Sequence, residues 1–167
     1  MEDGPYQFRP ATAHDTPLLA GWQRQPHVAR WWEASDYQAN DLEPDPRVSL
    51  WIVELDGRPF GFMQDYDVHG WGADHHFAYL PQGSRGIDQY IGEPDMIGKG
   101  HGPKFMRQRI DALFGAGVPV IGTDPHPDNA RAIKVYSGLG FVQTSGPTET
   151  PCGRVVRMEL KNPGAAT

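Results

Sequence analysis

A glycine-rich run near the middle of the chain could bind an anion. Residues 98–102 read Gly-Lys-Gly-His-Gly and directly precede a stretch with helical character. Glycines allow close backbone approach to a ligand, and free N–H groups at a helix N-terminus attract phosphate. Lys99 is followed by Gly100 rather than Ser or Thr, which excludes a P-loop. Taken alone, the run fits a pyrophosphate site or a flexible loop before a capped helix about equally.

A second pattern lies about 30 residues further on, in the segment 129–141. Its marked positions are Asn129, Ala132, Tyr136, Gly140 and Phe141. With the glycine run, this pattern resembles the GCN5-related N-acetyltransferases, which pair a glycine-rich pyrophosphate loop with an Asn-x-x-Ala-x-x-x-Tyr-x-x-x-Gly-Phe helix and strand. An amphipathic helix with a glycine cap would explain the helix, but not five matches at this distance from the run.

Shorter stretches are similar to one branch of that family, the aminoglycoside 6′-N-acetyltransferases. They occur at residues 31–32, 56–61, 64–66, 85–89, 98–102 and 123–125. The Arg-Gly-Ile-Asp-Gln stretch at 85–89 and the Thr-Asp-Pro stretch at 123–125 are the most specific. Two features depart from the pattern. Ile97 stands where the family usually has Arg or Gln, and residues 74–80 carry histidines where the branch has tryptophans and acids.

The resemblance implies acetyl-CoA as co-substrate and assigns residues to it. The pantetheine arm would pair with the strand at residues 87–91, and one strand N–H would polarise the thioester carbonyl. The glycine run would hold the pyrophosphate. The implied cofactor-binding residues are Ile87, Gln89, Ile91, Lys99, Gly100, His101, Gly102, Lys104 and Asn129.

The resemblance also implies catalytic and acceptor-binding residues. Tyr136 would protonate the departing thiolate, and Asp88 could relay the proton of the amine. Asp88 and Asp124 would bind the ammonium groups of a cationic amino-sugar, although a nearby carboxylate also favours the unreactive ammonium form. Further acceptor-binding residues are Trp32, Gln64 and Tyr66.

The remaining aromatic and histidine residues are given structural interpretations. Core packing is expected for Trp31. The seven histidines show no metal-ligand spacing, so no metal is expected. His75 and His76 are adjacent and would point apart on a strand.

The elements that must position these residues follow from hydrophobic periodicity and turn signals. Strands are predicted at 6–9, 48–55, 58–66, 85–91 and 118–123, and helices begin near residues 13–17 and cover 26–32, 103–114 and 129–139. Asp56-Gly57 predicts a hairpin, residues 67–84 an irregular loop, and residues 141–145 and 154–160 a closing β-hairpin. The expected fold is a single α/β domain over residues 1–167, with a mixed, mostly antiparallel sheet flanked by helices.

Composition limits the partners and the compartment. The formal net charge is -6 and basic residues are not clustered, which disfavours nucleic acid. A small cationic amine fits this charge better. Cys152 is the sole cysteine, and neither a secretory signal nor a membrane-spanning run is visible, so a cytoplasmic monomer or homodimer without a membrane partner is expected.

Three other functions remain open at this point. The altered loop at 74–80 would suit an acyltransferase for a siderophore precursor or another small amine. A peptide or protein N-acetyltransferase would need an open groove for its acceptor. A non-catalytic acetyl-CoA-binding module would need no thiolate acid, whereas Tyr136 is present.

Overall fold

The computed structural model describes residues 4–32, 42–72, 75–151 and 153–165. Its strands are β1 (Tyr6–Pro10), β2 (Val48–Leu55), β3 (Arg58–Asp67), β4 (Arg85–Ile91), β5 (Val120–Thr123), β6 (Val142–Gln143), β7 (Thr148–Thr150), β8 (Gly153–Val155) and β9 (Met158–Lys161). Its α-helices are α1 (Thr16–Gln23), α2 (Pro26–Ala29), α3 (His101–Gly115) and α4 (Ala130–Gly138), with 3-10 turns at Ala13–Asp15 and Pro94–Met96.

Among the described residues, the strands form a seven-stranded sheet in the order β1-β2-β3-β4-β5-β9-β6 and a separate ribbon of β7 and β8. Neighbours pair antiparallel except β4 and β5, which run parallel. The fold class predicted from the sequence, a mixed and mostly antiparallel sheet flanked by helices, is therefore confirmed.

The β2–β3 hairpin shows how a local signal sets the register. Asp56 and Gly57 both have positive φ, at 50° and 80°, as a two-residue type I′ turn requires. The turn fixes the antiparallel register, in which Leu55 lies opposite Arg58. The predicted hairpin is confirmed.

Each face of the sheet packs against helices because buried residues alternate along the strands. On one face, Met63 and Ile87 pack with Phe105 and Ile110 of α3. On the other face, Phe62 and Tyr90 pack with Trp22 of α1. Side chains of odd-numbered β4 residues thus face α3 and α4, whereas those of even-numbered residues face α1.

The C-terminal part differs from the prediction of one hairpin between 141–145 and 154–160. β8 ends at Val155 and pairs with β7, and β9 begins only at Met158. The N–H of Val156 donates to the carbonyl of Pro125 at 2.9 Å, and that of Arg157 donates to Ser145 Oγ at 3.0 Å. These bonds replace strand pairing and bend the chain, so the predicted continuous strand is wrong.

Two other boundaries are shifted. α3 begins at His101 rather than at Pro103, because Gly100 adopts a left-handed conformation with φ of 82° and ends the loop. β5 begins at Val120 rather than at residue 118. Asp74 and Cys152, which entered the sequence-based arguments on the acceptor loop and on disulfides, lie outside the described residues.

Candidate active site

The backbone of β4 presents a free edge towards β5. Gly92 N–H donates to the Phe60 carbonyl at 2.8 Å, so the even-numbered residues of β4 direct their backbone groups towards β3. The groups of Ile87, Gln89 and Ile91 therefore point the other way. β4 pairs with β5 through Arg85 and Gly86 and then diverges from it. An extended ligand could hydrogen-bond along this opening.

Contacts of two carbonyl groups confirm that orientation. The Ile87 carbonyl accepts a bond from Thr123 Oγ1 of β5 at 3.2 Å. The Ile91 carbonyl lies 2.8 Å from His27 Nε2, beyond the far end of β5. The three β4 residues assigned from the sequence thus share one backbone edge.

The glycine run forms the turn into α3. Gly98 and Gly100 have φ of 76° and 82°, which side chains rarely tolerate. Gly102 is buried, and a Cβ placed there would lie 3.9 Å from Ile91 Cδ1. At this position the surrounding packing, rather than the backbone angle, is what bears on a side chain. The first residues of α3 line the same cleft as the β4 edge, and N–H groups at the start of a helix lack intrahelical partners.

Three of the assigned cofactor residues are not part of the cleft lining, and one of them, Ile87, is fully buried. Lys99 and Lys104 are exposed, whereas Gly98, Gly100, His101 and Gly102 line the cleft. His101 Nδ1 lies 2.9 Å from the Tyr6 hydroxyl, and its ring packs on Phe60. Its side chain thus binds the sheet, which leaves its backbone N–H as the group facing the cleft.

Helix α4 brings Asn129 and Tyr136 to the opposite wall. Asn129 is the N-cap, and its Oδ1 accepts from the Ala132 N–H at 3.2 Å, which leaves the amide nitrogen to donate elsewhere. Tyr136 is buried, with its ring edge-on to Phe141 at 5.4 Å. Burial raises the pKa of Tyr136 to about 12; Asp88 and Asp124 add to the rise, and bonds with Thr123 and Gln89 oppose it.

A hydrogen-bonded pair of acids lies at the floor of the cleft. Gln64 is directly opposite Asp88 in the β3–β4 register, and Gln64 Nε2 donates to Asp88 Oδ2 at 2.8 Å. Asp88 also shares a hydrogen bond with Asp124, just beyond β5. Withdrawal from bulk water and then the charge of Asp124 raise the pKa of Asp88 to about 8. The Asp88 carboxyl therefore mostly keeps its proton at neutral pH.

The loop before β4 contributes a histidine to this acid pair. His76 Nε2 lies 2.6 Å from Asp124 Oδ2, and both side chains are largely buried. The His75 and His76 rings stack at 4.2 Å, so the expectation that they point apart on a strand is wrong. These residues lie in a turn, where successive side chains need not alternate. Burial, and then the neighbouring His76, lower the pKa of His75.

Aromatic residues wall the acceptor side of the cleft. Trp32 packs edge-on against Phe62 and Tyr90, at 6.1 and 5.0 Å. Tyr66 is mostly buried and packs on His75 at 5.5 Å. Trp31 was expected in the core, but it lies on the rim of the cleft, beneath Arg30 and beside His126.

Together these elements enclose a cleft of about 1480 Å³. Among the assigned residues, those lining it are Trp32, Gln64, Tyr66, Asp88, Gln89, Ile91, Gly100, His101, Gly102, Asp124, Asn129 and Tyr136. Sequence reasoning missed Thr123 and His76 as members of the site. Thr123 lay within the Thr-Asp-Pro stretch, whereas His76 was marked only as a departure from the branch.

The described residues offer neither a metal site nor a membrane-spanning helix. In that part of the chain, no group of three or more His, Cys, Asp or Glu residues could hold a metal ion. No helix there is long and apolar enough to cross a membrane.

Comparison with known proteins gives consistent matches. A family model described as an acetyltransferase (GNAT) domain matches residues 11–146. The aminoglycoside N(6′)-acetyltransferase type 1 of Klebsiella pneumoniae is 35% identical over 162 residues, which cover 90% of this chain and 80% of that protein. The solved structure of AAC(6′)-Ib with paromomycin and acetyl-CoA has a TM-score of 0.82 at 32% identity, covering 95% and 94% of the two chains. AAC(6′)-Ib with coenzyme A and kanamycin has a TM-score of 0.80 at 32% identity, covering 93% and 94%.

Proposed function

The chain belongs to the GNAT acetyltransferases, and from that premise we propose that it transfers acetyl from acetyl-CoA to a primary amine of an aminoglycoside-type amino-sugar. The observation that carries the proposal is the position of the acid pair. Asp88 and Asp124 lie on the floor of the same cleft whose walls are the free β4 edge and Tyr136. An ammonium-bearing acceptor held by these acids would lie beside a thioester held by β4.

Acetyl-CoA would be held by backbone groups rather than by cationic side chains. Because the Ile87 and Ile91 carbonyls already contact Thr123 and His27, the backbone groups of Gln89 and the N–H of Ile91 would make the main pairing with the pantetheine amides. The N–H groups at the start of α3 would bind the pyrophosphate, with Lys99 and Lys104 adding charge from the exposed side. The free amide nitrogen of Asn129 would donate to the pantetheine arm. One N–H of the β4 edge would polarise the thioester carbonyl.

Asp88 would receive the proton that the attacking amine must lose. Its pKa of about 8 makes it a far stronger base than an ordinary aspartate, and the minor fraction that is ionised at neutral pH can accept the proton. A carboxylate of ordinary pKa would hold the ammonium without accepting its proton. The hydrogen bonds with Gln64 and Asp124 hold the Asp88 carboxyl in place at the floor of the cleft, where the amine would reach it.

Tyr136 would protonate the departing thiolate. Its pKa of about 12 makes it a weaker acid than a phenol in water. The same withdrawal from water also raises the pKa of a thiol formed beside it, so the pKa values of the proton donor and the thiolate shift in the same direction. Its contacts with Thr123 and Gln89 hold the hydroxyl between β5 and β4.

The acceptor would be a small cationic amine bounded by Trp32 and Tyr66. The 35% identical relative is an aminoglycoside N(6′)-acetyltransferase, and the neighbouring structures contain paromomycin or kanamycin. The single-domain organisation and the monomer or homodimer stay predictions.

The test is an acceptor panel with purified protein and acetyl-CoA, read by release of free thiol. Kanamycin, paromomycin, spermidine, a simple diamine and an unacetylated peptide would be compared at one ionic strength, because screening weakens exposed charge pairs. We expect the amino-sugars to have the highest kcat/KM, with a product heavier by one acetyl group. Thiol release with the peptide or the diamine but with neither amino-sugar would refute the amino-sugar proposal.

A further inference from the structure

His76 reaches the acid pair from outside the sheet. Its Nε2 is 2.6 Å from Asp124 Oδ2, and the two side chains expose only 8% and 12% of their surface. An imidazole N–H donates to a carboxylate in either its neutral or its protonated form, so the bond does not depend on the charge of the ring. One oxygen of Asp124 is therefore already satisfied from within the protein.

The surrounding packing fixes the ring in this position. His76 stacks on His75 at 4.2 Å and contacts the Phe77 ring at 4.8 Å. Phe77 is fully buried against Gly122, where an added Cβ would lie only 2.9 Å from the ring. His75 in turn packs on Tyr66. Rotating His76 away from Asp124 would disturb this stack, so a substrate cannot readily displace it.

The groups that interact with Asp124 come from several elements. Asp88 of β4 shares a hydrogen bond with it. The charge of Asp124 also acts to raise the pKa of Tyr136 in α4 and that of His75. His76 is the hydrogen-bond donor from the loop. The imidazole thus lies where an incoming ammonium group would otherwise bind Asp124.

We propose that His76 is a specificity-determining residue of the acceptor site, which takes the place of a substrate ammonium on Asp124. This inference rests on the proposed function and narrows its substrate class. The site would favour amino-sugars that carry a hydroxyl, rather than a second ammonium, on the ring that bears the reacting amine. A second ammonium there could not bind Asp124, because His76 already donates a hydrogen bond to that carboxylate.

Kanamycin A and kanamycin B provide a matched pair for the test. They differ by a hydroxyl in place of an amino group on the sugar ring that bears the reacting amine. In the parent protein we expect the additional amino group of kanamycin B to bring no gain in KM. In His76→Ala, the Oδ2 atom of Asp124 loses its partner, and the KM for kanamycin B should fall roughly tenfold or more relative to that for kanamycin A.

Two further variants separate the hydrogen bond from the space that the ring fills. His76→Gln places an amide N–H near the original Nε2 and should keep the parent ratio of the two KM values. His69→Ala is the control, because His69 lies in the same loop but bonds the Ala78 carbonyl at 2.9 Å, and it should also keep that ratio. If His76→Ala does not fold, His76→Asn, whose amide is too short to reach Asp124, makes the same comparison.

The outcomes distinguish this inference from the proposed function. An unchanged KM ratio in His76→Ala, with both kanamycins still acetylated, overturns the role of His76 and leaves the function standing. Loss of turnover on both sugars, with the acetyl-CoA-induced rise in Tm retained, also overturns it, because His76 would then be needed for reaction rather than selection. If the parent acetylates neither kanamycin, the proposed function fails first, and the specificity assignment fails with it.

Discussion

Replacing Asp88 by asparagine should stabilise the protein at neutral pH while lowering its activity. The folded-state pKa of Asp88 is about 8, whereas an unfolded aspartate titrates near 3.8. Between these values the folded protein binds a proton that the unfolded chain releases. Stability from this group is therefore present at low pH and is lost as the pH rises towards 8. Asparagine keeps the shape and both hydrogen bonds, but it never ionises.

The size of the effect follows from the difference between the two pKa values. Each unit corresponds to about 1.4 kcal/mol, so keeping Asp88 protonated at pH 7, where the unfolded chain is ionised, costs about 4 kcal/mol. Asp88 keeps some contact with solvent, which offsets part of that cost. We expect a gain of about 1–3 kcal/mol in the free energy of unfolding. For a chain of this length, this corresponds to a Tm rise of roughly 3–10 °C.

The assay is thermal unfolding of parent and Asp88→Asn between pH 5 and pH 9 without ligand. The difference in Tm should be small at pH 5, grow with pH and level off above pH 8. Asp111→Asn makes the same chemical change at an exposed position of α3 and should show no such growth. A Tm difference that is negative, or independent of pH, would show that Asp88 ionises as easily as an aspartate in water. The reasoning on its role as a base would then be refuted.

Three further predictions concern the reaction and its co-substrate. Tyr136→Phe should still fold and bind acetyl-CoA but lose roughly 10²–10⁴-fold in turnover; an unchanged rate would mean that water protonates the thiolate. Gly100→Val should abolish the rise in Tm caused by saturating acetyl-CoA, because valine rarely adopts φ of 82°, whereas a retained rise would exclude the loop as the pyrophosphate site. Asp124→Asn should shift the rise of kcat/KM with pH, measured on one acceptor, to lower pH, because it removes a charge that raises the pKa of Asp88; an unshifted profile would contradict their interaction.

The parts of the site encoded by local patterns could be predicted from the sequence. The glycine at position 100 indicated a backbone conformation that other residues avoid. Asn129 indicated a helix start, because it precedes a segment with an apolar face. Residues 85–91 had the composition of a strand, and that strand presents the edge along which a ligand can bind. In each case, the determining interactions lie within a few residues of the chain.

The parts that depend on distant contacts could not be predicted. His76 and Asp124 are 48 positions apart, and their bond depends on a turn that stacks two histidines instead of separating them. The break between β8 and β9 depends on bonds from Val156 to Pro125 and from Arg157 to Ser145. The segment has apolar residues on both sides of the break, so composition alone indicates one strand.

The divergence of β4 from β5 also matters for solubility. Gln89 and Ile91 belong to an interior strand, yet their outward N–H and C=O groups are those of an edge. Free edges template pairing with other chains, and most proteins keep them short, charged or covered. Here the edge lies along a cleft that is open to solvent. A bound co-substrate would occupy that edge as a neighbouring strand does, so keeping acetyl-CoA or coenzyme A present during expression and storage should suppress aggregation.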